Sequence, residues 1–146
     1  MNVISLSNGF FQLNAAFSIT PYTTSQELIA HFSSDDFKTN QYGNGHSNYV
    51  LRNIEINALH FIITVYFQKE LLTSISFICR NKPYPEVPSW DDFNADEADK
   101  ESLFLRSWII EQIGSELGEY DWGKIGVYYD FHNHNTYCKV DYSVEE

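Results

Sequence analysis

The hydrophobic positions of this chain recur with two periods, and the period changes where the elements change. In "FFQLNAAFSITPY", residues 10–22, Phe11 and Leu13 and then Phe17 and Ile19 alternate with smaller or polar residues. This predicts one or two half-buried strands, closed by Pro21. The next stretch, "TTSQELIAHF", sets Thr24 three positions before Glu27 and then Leu28, Ile29 and Phe32 at helical spacing. A capping box followed by that spacing predicts a helix over Ser25–Phe32. Ser33–Ser47 is rich in Ser, Asp, Asn and Gly and reads as a long loop. Strict alternation then returns over Asn48–Ile56, Leu59–Phe67 and Leu71–Arg80. In the second of these Phe61, Ile63, Val65 and Phe67 share a face, and in the third Leu71, Ile75, Phe77 and Cys79 do. The short "QKE" between them predicts an antiparallel hairpin.

Pro83, Pro85 and Pro88 make the following segment a connector. From about Asp96 a longer helix is expected, with Leu103, Phe104, Trp108, Ile110, Ile113 and Leu117 as a broad apolar stripe and Gly114 or Gly118 at its end. Two final strands, Ile125–Phe131 and Tyr137–Val144, flank "HNHN". The order β-β-α-β-β-β-α-β-β predicts an α+β fold, with an antiparallel sheet of about six to seven strands and two helices packed on it. At 146 residues and 43% hydrophobic composition, residues 1–146 suit a single globular domain.

Charge narrows the function. Twenty acidic against nine basic residues give a net charge of -11, which repels phosphate backbones and anionic lipid, so neither nucleic acid nor membrane is an expected partner. Such a charge serves either solubility or a basic protein partner. No apolar run approaches the roughly 20 residues that span a bilayer. "MNVISLSNGFF" has none of the features of a signal peptide. The expectation is a soluble, cytoplasmic protein, monomeric rather than oligomeric. Cys79 and Cys138, each inside a strand, read as free packed thiols.

Candidate chemistry is sparse. His132 and His134 have the HxH spacing of two metal ligands near Asp130, but His, Asn and Asp are also the residues that turns favour. Asp92, Asn94 and Asp96 imitate a calcium loop, yet Glu97 stands where that loop needs Gly and Leu103 where it needs a bidentate Glu. What remains is an acidic run from Asp91 to Glu101 at a helix N-terminus, readable as a partner-binding face or as a solvated connector. The sequence carries no nucleophile elbow, activated cysteine or phosphate-binding glycine loop. Convergent carboxylate pairs stay open, and His31 and His60 read as structural. No cofactor is expected. Trp122-Gly123 reads as packing at a sheet end, while Tyr128, Tyr137 and the polar ends of Tyr129 and Tyr142 are able to form an amphipathic patch.

Trp108-Ile-Ile, Gly114, Tyr120-Asp-Trp122-Gly123-Lys-Ile125 and Tyr129-Asp130 together resemble small bacterial proteins of the immunity type, which accompany polymorphic or contact-dependent toxins. The resemblance lies in the C-terminal third. It implies a small acidic cytosolic protein that binds a basic nuclease domain and blocks its active site. On that implication Asp91, Asp92, Asp96, Glu97 and Asp99 form the steering face, with Trp90 as anchor. Glu119, Asp121, Tyr128 and Asp130 form the alternative face. The rival readings are a small metal-dependent or carboxylate and His enzyme, with metal at His132 and His134, and a homo-oligomeric structural module.

Overall fold

The computed structural model describes residues 4–5, 7–13, 17–32, 37–41, 43–83, 95–130 and 135–142. Its strands are β1 (Phe11–Gln12), β2 (Ser18–Ile19), β3 (Phe37–Gln41), β4 (His46–Ile56), β5 (Leu59–Gln68), β6 (Leu71–Arg80), β7 (Leu117–Tyr120), β8 (Gly123–Asp130) and β9 (Asn135–Tyr142). The helices are α1 (Ser25–His31) and α2 (Ala95–Ile113). β1 and β2 form a small hairpin, and the other strands form one sheet in the order β3-β4-β5-β6-β9-β8-β7. Every pairing is antiparallel.

The sheet is two meanders joined at the seam between β6 and β9, where Phe77 lies opposite Cys138. Because β9 rather than β7 meets β6, the chain must travel to the far edge before returning. α2 makes that journey, packing across β9, β6 and β8.

Side-chain alternation decides which sheet face is covered. In β5, Phe61, Ile63, Val65 and Phe67 are buried while Ile62, Thr64 and Tyr66 between them are half-buried. Phe61 and Phe77 are gripped from two sides of the same layer. Phe11 of β1 meets them edge-on at 6.2 and 5.1 Å, and Trp108 of α2 does so at 5.8 and 5.6 Å. Edge-to-face pairs of this kind add to the stabilisation from area alone. Leu28 of α1 and Ile109 of α2 complete the layer, both fully buried. Thr24 caps α1 by accepting from the Glu27 amide at 3.2 Å, as the capping box predicts.

Both long hairpins turn on two residues with positive φ, Asn57-Ala58 (52° and 67°) and Lys69-Glu70 (56° and 77°). Paired positive φ is the backbone of a type I′ turn, whose twist matches that of the flanking strands.

The sequence reading needs five corrections. Leu71, expected on the core face of β6, is 70% exposed, because the register shift between Tyr66 and Phe67 brings Leu72 into the core instead. The predicted loop Ser33–Ser47 contains β3, paired with β4 from Phe37↔Leu51 to Gln41↔Ser47. Its ladder, helped by a 3.0 Å bond from the Asn40 side-chain amide to Asn48, holds it with almost no hydrophobic signal. α2 ends at Ile113, where Gly114 takes a φ of 86°, so Leu117 opens β7 instead of extending the helical stripe. The buried stripe of α2 is Leu105, Trp108 and Ile109, whereas Leu103 and Ile110 are 67% and 45% exposed on the outer side. The described order is β-β-α-β-β-β-β-α-β-β-β, and both strands of the last hairpin begin two residues earlier than predicted, while their predicted ends, Phe131 and Val144, lie outside the described residues.

Candidate functional site

No described element covers the second face of the large sheet. Its residues are the alternates of the core set and fall into cross-strand rows. One row runs Asn48, Tyr66, Ser74, Asp141 and Lys124, and the next Val50, Thr64, Ser76, Lys139 and Gly126. Beyond them Ile62 faces Ile78, and Tyr128 stacks on Tyr137 with ring centroids 5.9 Å apart and planes at 30°. The Tyr66 and Ser76 hydroxyls are 3.4 Å apart. Sheet twist bends this face into a concavity of about 790 Å³ centred on β5, β6 and β9.

Its electrostatics differ from those of the molecule. Among the described residues no Asp or Glu lines the concavity, whose charged or titratable members apart from tyrosine are Lys139 and His46. Asp141 stands just outside, 3.6 Å from the Lys139 ammonium. Between partly exposed groups such a pair contributes at most about 1 kcal/mol, which leaves the lysine available to another partner. Exposed Lys38 and Lys124 occupy the same face by register, and Leu117 of β7 lies over Gly126, where an added Cβ would come within 2.7 Å of the leucine.

The residues singled out from sequence are divided between the two sides. Trp90, Asp91, Asp92, His132 and His134 lie outside the described residues. Asp96 and Glu97 belong to the first turn of α2, and Asp99 is exposed one turn on. Glu101, which closes the acidic run, accepts from the Arg80 guanidinium at 3.0 Å and fastens α2 to the end of β6. Glu119, Tyr128 and the backbone position of Asp130 fall on the open sheet face, while Asp121 is exposed in the β7–β8 turn. Of the two sets, Asp99 on α2 and Glu119 on the open face lie on opposite sides of the sheet. Glu119 is paired with Lys124, two rows from Tyr128, so the alternative set is spread along β7 and β8.

Other candidates resolve into packing. Burial pushes the Cys79 thiol up to about 12 and holds Cys138 higher still, with nearby Cys79 adding to the effect. Both thiols stay protonated and unreactive at neutral pH. His31 stacks on Phe17 with centroids 4.6 Å apart. Trp122 stacks on Tyr120 at 5.2 Å and covers Gly9, as packing at a sheet end requires. Among the described residues no group of three or more His, Cys, Asp or Glu side chains is placed to hold a metal ion, and no helix is long and apolar enough to cross a membrane.

Sequence reasoning passed over Ile62, Tyr66, Ile78 and Lys139. The signal was present in the polar-side positions of β5 and β6, which are too aliphatic and aromatic for a face that meets only water.

No protein-family model matches the chain, and no curated protein does. The fold is similar to that of a chain in a solved structure, "Rhs1-CT in complex with cognate immunity protein RhsI1". The TM-score is 0.59 and the identity 17%, over 97% of this chain and 87% of that one.

Proposed function

We propose that this chain is an immunity-type protein, which binds a cognate toxin domain and blocks it without catalysing a reaction of its own. The observation that carries the reading is the fold likeness, across nearly the whole chain, to a chain of an assembly containing an immunity protein. The resemblance in the C-terminal third points to the same class.

The partner is a basic domain, as a nuclease that handles nucleic acid must be. A net charge of -11 attracts it from beyond contact range, and steering of this kind raises association rates by about 10- to 1,000-fold at low salt. The acids at the start of α2 supply the steering field, with Trp90 as an anchor, and that field needs no fixed side-chain geometry. The complex forms in the cytoplasm from a monomeric inhibitor.

The test is co-purification with the protein encoded immediately upstream, carrying a disabled active site, followed by gel filtration and stopped-flow association at low and high salt. The expected result is a one-to-one complex whose association slows as salt rises. A clean monomer that never shifts in elution overturns the reading.

A further inference from the structure

An immunity protein needs a contact surface as well as a steering field, and the two need not coincide. We infer that the toxin domain docks on the open sheet face, seating in the concavity a protruding segment whose contacting side chains are hydroxyl, amide or carboxylate groups, with Lys139 as the charged contact. The inference rests on the immunity reading.

Shape comes first. The concavity is lined by four strands, β4, β5, β6 and β9, of a sheet stiffened from behind by Phe61, Phe77 and Trp108, so it is a preformed seat. Ordering it on binding costs little conformational entropy.

Composition comes next. Tyr66 and Tyr137 line the seat with Ile62, Ile78, Thr64 and Ser76. Tyrosine supplies large contact area and a polar tip with few torsions to freeze, and short hydroxyl and amide side chains supply adaptable hydrogen bonds, which is the make-up of recognition surfaces. Half-buried isoleucines on an uncovered face gain most when a partner removes their remaining contact with water.

Charge then selects the occupant. In a chain with twenty acids the lining of the seat has none among its described residues, and the carboxylate beside it, Asp141 in the Ser74 row, already lies 3.6 Å from the Lys139 ammonium. A carboxylate finds Lys139, with Lys38 and Lys124 further out on the same face. The basic remainder of the toxin domain then meets the acidic exterior. A second copy of this chain fits less well, because it would bring another carboxylate-free centre against Lys139.

The experiment uses the full chain and the same disabled toxin domain, with affinities from calorimetry and folding checked by thermal melts. Tyr137→Ala and Lys139→Glu report on the open face, and Lys139→Met separates loss of charge from reversal. Asp99→Lys reports on the outer side of α2. Each open-face variant is expected to weaken binding about tenfold or more, the loss typical of a central contact, while its melting temperature stays well above the assay temperature, and Lys139→Met should fall between wild type and Lys139→Glu. Tyr137→Ala and Lys139→Glu variants that bind within about twofold of wild type, below the hot-spot range, overturn the docking assignment while the immunity reading stands. Tighter binding by Lys139→Glu overturns the stated chemistry of the segment. If the wild-type chain binds no toxin domain, both proposals fall together.

Discussion

The Tyr142 hydroxyl donates to the Gly9 carbonyl at 2.9 Å, a buried bond between residues 133 positions apart. It closes the sheet's last strand onto the N-terminal turn, beneath the indole of Trp122, which packs on both residues. The turn is thereby part of the core.

Removing that hydroxyl while keeping the ring isolates the bond. Tyr142→Phe leaves the Gly9 carbonyl without this buried donor, and the expected loss is about 1–2 kcal/mol. Urea unfolding at neutral pH measures it. A midpoint equal to that of wild type would mean that water reaches the carbonyl and the turn is not closed.

Alkaline pH should destabilise the protein through its thiols. Cys79 is raised from 9.0 to about 12 by burial, so the folded thiol keeps a proton that the unfolded chain releases. A raised folded value gives stability that is complete below pH 9 and is lost as pH climbs towards 12. The slope is about 1.4 kcal/mol per pH unit for each such thiol. Cys138, raised for the same reason, acts in the same direction. Urea midpoints between pH 8 and 10.5 should fall less steeply in Cys79→Val than in wild type, and identical slopes would refute the assignment.

Ala58 holds a φ of 67° at the second position of the β4–β5 turn, a conformation that glycine adopts without strain. Ala58→Gly creates the Asn-Gly pair that type I′ turns favour. Relief of about 1 kcal/mol of left-handed strain outweighs the added freedom of the unfolded chain. The thermal midpoint should rise, against the usual effect of replacing alanine by glycine. A fall would show that the turn is not strained.

Steering and contact separate experimentally. Asp99→Lys replaces one negative charge by one positive charge on α2, on the side of the sheet away from the seat. Association with the disabled toxin domain should slow about threefold at low salt and converge with wild type near 0.5 M salt, where the Debye length is only about 4 Å. The dissociation rate should not change. A change confined to dissociation would instead place Asp99 in the contact.

What the sequence discloses depends on how strongly burial marks a segment. β5 and β6 are legible because Phe61, Ile63, Val65, Ile75, Phe77 and Cys79 keep one parity over two strands. β3 is not, because "FKTNQ" has one apolar residue and owes its place to backbone pairing at an edge, which leaves no trace in hydropathy. Leu117 misleads for the opposite reason: it follows Ile113 at a helical interval, although Gly114 has already ended the helix. The acidic run is visible as composition, but the seat is not. Ile62, Tyr66 and Lys139 become neighbours only when β4, β5, β6 and β9 are laid side by side, and β9 comes from the far end of the chain.

The seam between β6 and β9 also dictates when the protein comes into being on the ribosome. With everything through β8 outside the exit tunnel, the first meander is complete yet β6 still presents a bare edge, since its neighbour is residues 135–142. The sheet closes only when that strand emerges, so folding of the large sheet waits for residues 135–142. A transcript cut short anywhere before β9 yields a chain with an unpaired central strand, a species for quality control to remove.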